Sequence, residues 1–84
     1  MEKKIASLLI IIQPGANTLR LNSLLSEFSS HIISRQGINL SERNMQVITV
    51  VLEADNDVIG ALSGKIGRLQ FVKVKTAIIN LQNL

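Results

Sequence analysis

The 84-residue chain has no cysteine, tryptophan or tyrosine, and Pro14 is its only proline. Without thiols it forms no disulfide, thiolate-bound metal site or iron–sulfur cluster, and it has no cysteine nucleophile. Phe28 and Phe71 are its only aromatic residues. Neither lies on a predicted central strand, where RNA-binding versions of small α+β sheets carry their stacking platforms. His31 is the only histidine. With no second histidine or cysteine beside it, it makes a poor metal ligand and supports no Ser-His-Asp arrangement. Charge is also sparse, with a formal net of +3. No nucleophile–base pair can be named, so the chain is predicted not to be an enzyme and to need no cofactor or metal.

Aliphatic residues dominate what remains. The hydrophobic fraction is 46%, far above that of a disordered tail, and the length suits a single domain over residues 1–84. A chain this short buries only roughly 60–65% of its unfolded surface. A small apolar domain without disulfides suits a reducing cytoplasm and gains stability by self-association, as a dimer or tetramer.

The opening "MEKKIASLLIIIQPGA" has the outline of a secretory signal. Pro14-Gly15-Ala16 is a poor cleavage site, however, and the apolar run is far below the about 20 residues that span a bilayer. Lys4 to Ile12 therefore reads as a strand buried on both faces. Pro14-Gly15 turns the chain, and Asn17 or Thr18 caps a helix over about Asn17 to Ser30, with Leu21, Leu24, Leu25 and Phe28 on one face. His31 to Ile38 reads as an edge strand, "NLSERN" as a polar loop, and Met45 to Ala54 as a second buried strand. Asp55 caps a second helix over about Asn56 to Leu69. A last strand, "FVKVKTAIINL", places Val72, Val74 and Thr76 on one face and Lys73 and Lys75 on the other.

The order β-α-β-β-α-β is the α+β, ferredoxin-like sandwich, with sheet order 4-1-3-2 and both helices on one face. The first and third strands are then central, and they are the runs with least polar relief. Ile5, Leu9 and Ile11 face away from Leu8, Ile10 and Ile12, and Val47 and Val51 face away from Ile48, Val50 and Leu52. Both sheet faces thus look buried, which predicts that the face without helices packs on another subunit.

Glycine is costly in the second helix, by about 0.5–1 kcal/mol at each interior position. Gly60, Gly64 and Gly67 cluster opposite the apolar arc of Val58, Ile59, Leu62, Ile66 and Leu69. Three readings compete: close approach of another subunit or a ligand, an early helix end with Gly64 or Gly67 as cap, and a phosphate loop in "GALSGK". The last lacks the four-residue spacing and the hydroxyl after Lys65.

The cluster Glu53, Asp55 and Asp57 at a strand-to-helix turn reads as capping or, with further oxygen ligands, as a cation site. Lys65, Arg68, Lys73 and Lys75 read as a solvated face or as a nucleic-acid surface, the latter disfavoured by their low density. In the first turn, Gln13, Gly15, Ala16 and Asn17 are the candidate ligand-binding residues. A glycine between a strand end and a helix start exposes backbone amides to a ligand carboxylate. A plain tight turn is the competing reading.

With these turns in place the chain resembles the ACT domains, small ferredoxin-like modules that bind amino acids in metabolic regulators. The matching piece is the first strand, Pro14-Gly15, and Leu19, Leu21 and Leu24. A closer resemblance lies in "DNDVIGALSGKIGRLQFVKVKT" and "ISRQGINLSERNMQVITVVLEA", which are similar to the stand-alone ACT-like iron-only hydrogenase system regulators. The resemblance implies a regulatory homo-oligomer, akin to the C-terminal domain of nickel-responsive repressors. It does not bring their metal chemistry, because the histidines and cysteine those repressors use are missing. The implied work is sensing a small metabolite at a subunit boundary, with Gly60, Gly64 and Gly67 as subunit contact. Alternatives are an interaction module for a regulatory protein partner and, from another class, direct nucleic-acid binding.

Overall fold

The computed structural model describes residues 2–84, which leaves Met1 outside. Strand β1 (Lys4–Ile12) leads through a turn to helix α1 (Thr18–Glu27), then come β2 (Ile32–Leu40), β3 (Met45–Ala54), helix α2 (Asn56–Gly67) and β4 (Val72–Asn80). The strands form one antiparallel sheet in the order β2-β3-β1-β4. This is the ferredoxin-like order expected from the polarity of the runs. Single 3-10 turns precede β2 (Ser29–His31), close the β2–β3 hairpin (Ser41–Arg43) and follow β4 (Leu81–Asn83).

One sheet face meets both helices. Leu8, Ile10, Val50 and Leu52 from the central strands pack with Leu21 and Leu24 of α1 and Ile59, Leu62 and Ile66 of α2, all essentially sealed from solvent. Each helix begins on a side-chain cap: Asn17 Oδ1 accepts the Arg20 amide and Asp55 Oδ1 accepts the Val58 amide, both at 3.0 Å. Each supplies an acceptor to a first-turn amide that the helix itself cannot satisfy.

The element ends differ from expectation. Strand β2 runs to Leu40, past Ile38 and into the expected "NLSERN" loop, and β4 stops at Asn80, short of Leu81. Helix α1 stops at Glu27, before Ser30, because the chain tightens into the 3-10 turn where the His31 amide donates to the Phe28 carbonyl at 3.0 Å. His31 therefore precedes β2 and lies outside it. Helix α2 stops at Gly67, before Leu69, as the Leu69 amide closes on the Ile66 carbonyl at 3.0 Å. Strand β4 starts at Val72, since Phe71 has a left-handed backbone (φ 66°) that bends the chain just ahead of it.

The second sheet face is only partly covered within one chain, although both faces were expected to look buried. Ile5, Ile11, Val47 and Val51 are half-buried by their neighbours on the sheet. Leu9, Ile38, Leu40 and Ile79 are 45%, 48%, 38% and 58% exposed. The register places Leu9 beside Thr49 and Lys75, Ile11 beside Val47 and Lys73, and Ile38 beside Val47. Residues directly opposite in antiparallel strands share a face, so these side chains make one apolar surface with lysines at its β4 edge. A bulge between Ile32 and Ser34 sets Ser34, Gln36, Ile38 and Leu40 on that same face.

Of the three readings for the glycines of α2, the phosphate loop falls away and the early end is met in part, with Gly67 as the last helical residue. None has a left-handed backbone, and the helix ends on Arg68 in right-handed geometry, so neither Gly64 nor Gly67 is a left-handed cap. "GALSGK" lies wholly inside the helix, so it forms no loop around a phosphate. At Gly60 and Gly64 an added Cβ would meet nothing within 4 Å, and at Gly67 it would touch Val74 Cγ1 at 3.6 Å. The stripe at Gly60 and Gly64 lies on the exposed outer side of α2.

Candidate functional site

The stretch from Gln13 to Ala16 is a type II β-turn. Pro14 takes the second position, where its fixed φ fits, and Gly15 the third at φ +94°, where a side chain is disfavoured. The Ala16 amide closes the turn on the Gln13 carbonyl at 3.2 Å. From the other side the Gln13 amide donates to the Phe71 carbonyl at 2.9 Å, and the Phe71 ring lies against Gly15, 3.4 Å from where a Cβ would stand. The turn is thus held between α1 and the left-handed residue that opens β4.

Beside this turn runs a groove of about 430 Å³. Ile12, Gln13, Pro14, Gly15, Ala16 and Thr18 line one wall; Asn39, Ser41, Asn44, Met45 and Gln46, from the end of the β2–β3 hairpin, line the other. Register explains the meeting: Ile12 pairs with Gln46, and Gln46 with Asn39. Asn44, with φ 54°, turns the hairpin in the left-handed region that asparagine tolerates. Among the described residues lining the groove none is charged. Its polar groups are the carboxamides of Gln13, Asn39, Asn44 and Gln46 and the hydroxyls of Thr18 and Ser41.

Of the candidate ligand residues, Gln13, Gly15 and Ala16 line this groove and Asn17 does not. The Asn17 oxygen is committed to the Arg20 amide as the helix cap. The expected ring of free turn amides is also reduced, because those of Gln13 and Ala16 are spent inside the protein. The hairpin wall went unread in the sequence. "NLSERN" supplies Asn39, Ser41 and Asn44 to it, between Leu40, Glu42 and Arg43 that do not line the groove, and nothing local ties the segment to Gln13.

Elsewhere the chemistry is thin. Asp55 caps α2, Asp57 sits in its first turn, and among the described residues no group of at least 3 His, Cys, Asp or Glu side chains gathers to hold a metal. Lys65 lies 3.7 Å from Glu27 Oε2 and 5.5 Å from the centre of the Phe28 ring, in the helix layer. Lys73 and Lys75 pair with Ile11 and Leu9 on the open sheet face. The cations of the sequence cluster are therefore divided between opposite sides of the sheet and form no single stripe. Among the described residues no helix is long and apolar enough to cross a membrane.

No curated protein matches the chain. A family model described as "TM1266-like: Iron-only hydrogenase system regulator, putative" matches residues 4–76. Among solved structures, the uncharacterized protein TM1266 from Thermotoga maritima is similar, at 41% identity over 94% of this chain and 100% of that one, with a TM-score of 0.89.

Proposed function

Because the chain belongs to the TM1266-like family of iron-only hydrogenase system regulators, we propose that it works as a self-associating, cytoplasmic regulatory module that binds a small metabolite beside the first turn. The observation that carries this reading is the groove between Gln13–Ala16 and the β2–β3 hairpin. Its volume is within the range of small-molecule sites, about 300–1,000 Å³, and its lining offers hydrogen bonds without a nucleophile–base pair.

Self-association has two candidate surfaces, which lie on opposite sides of the molecule. One is the apolar open sheet face around Leu9, Ile38 and Ile79. The other is the outer side of α2, where Gly60 and Gly64 leave room for a partner's backbone to come close. Two-fold use of one surface gives a dimer, and two-fold use of both about crossing axes gives a closed tetramer.

A thermal-shift screen of amino acids and nucleosides tests the sensor. A ligand at 100 times its dissociation constant adds about 2.7 kcal/mol of stability. A panel without any shift would end the metabolite reading and favour an interaction module built on the open sheet face.

A further inference from the structure

We infer that the groove takes an uncharged ligand by a planar edge that carries adjacent hydrogen-bond donors and acceptors, the chemistry of a nucleobase. This rests on the groove being the ligand site.

The lining argues against a free amino acid. An α-ammonium group entering the groove would lose water and find no carboxylate among the described lining residues. An α-carboxylate would find two of the turn amides, those of Gln13 and Ala16, already donating to the Phe71 and Gln13 carbonyls, and no lysine or arginine among the lining residues. A phosphate would meet no lysine or arginine there.

What the groove does offer matches a base edge. Each carboxamide of Gln13, Asn39, Asn44 and Gln46 presents an NH₂ donor and a carbonyl acceptor in one plane. Such a pair meets the donor–acceptor edge of adenine in bidentate fashion. Ile12 and Met45 also line the groove. Antiparallel pairing holds Gln46 between Ile12 and Asn39, so part of the edge is set by the sheet.

The test is an amide-resolved NMR titration of the full chain with adenosine, uridine, AMP, alanine and glutamate. Adenosine or uridine should move the resonances of residues 13–18 and 39–46, with an affinity that barely changes with salt. AMP should bind no more tightly than adenosine. Asn39→Asp and Gln46→Glu, at exposed positions, should leave the spectrum folded and weaken adenosine by about 5- to 150-fold. If alanine or glutamate binds at these residues and the nucleosides do not, the ligand class is wrong while the groove survives as a sensor site. Tenfold tighter binding of AMP would also overturn the uncharged class. If no probe moves these residues, or the shifts map elsewhere, the inference and the sensor reading fail together.

Discussion

Gly15 stands at φ +94°, so Gly15→Ala meets a backbone penalty, although its Cβ would sit in ordinary contact with the Phe71 ring. The cost should be about 1–2 kcal/mol, read as a lower urea midpoint at unchanged slope. Phe71 carries the complementary strain, being a bulky residue at φ 66°. Phe71→Ala and Phe71→Gly both delete the ring, but only glycine relieves the backbone. The glycine variant should be the more stable of the two by about 1 kcal/mol, and equal midpoints would show that the left-handed residue stores no strain. Asn17 was legible as a cap, and its side-chain oxygen is committed to the Arg20 amide. Asn17→Ala should cost about 1 kcal/mol in urea unfolding while leaving ligand affinity in the groove unchanged.

At the scale of elements, α2 carries two opposed demands. Its inner arc of Ile59, Leu62 and Ile66 is buried, and Gly60 and Gly64 lie outside with open space where a Cβ would go. As a helix on its own it would gain about 0.5–1 kcal/mol from each glycine replaced by alanine. The double variant Gly60→Ala, Gly64→Ala should therefore raise the unfolding midpoint of the dilute protein. If the stripe is a subunit contact, the same variant should weaken association in sedimentation equilibrium. Association that stays as tight as before would remove the stripe from any interface. Strands β1 and β3 occupy the very residues expected from the sequence, since each is a compact aliphatic run ended by turn or capping chemistry. The ends of α1 and α2 were harder to read, because closure depends on 3-10 contacts at Phe28 and Ile66 that leave no mark in the apolar spacing.

The whole molecule leaves a row of aliphatic side chains on the sheet face away from its helices, with Leu9 45% exposed near its middle. Leu9→Lys places a charge in that row without touching the helix-side core. It should shift sedimentation toward a single chain while the circular dichroism spectrum stays native. An oligomer that survives the substitution would direct attention to the outer side of α2. Leu62, fully buried on the inner arc of α2, gives the contrast: Leu62→Ala should cost about 2–5 kcal/mol by unmaking the core itself.

Element order, sheet order and the turn at Pro14-Gly15 are written locally, in runs of aliphatic residues and the backbone preferences of a few punctuating ones. The sequence alone was enough for these, and for the absence of cysteine chemistry. Which residues face Gln13 across the groove was decided only by tertiary structure. Antiparallel pairing of β1 with β3 and β3 with β2 brings Asn39 and Gln46 alongside Ile12, and register is a property of the assembled sheet. The same holds for the lysines, which run together along the chain yet separate in space, because successive side chains on a strand point to opposite faces and a helix follows its own period.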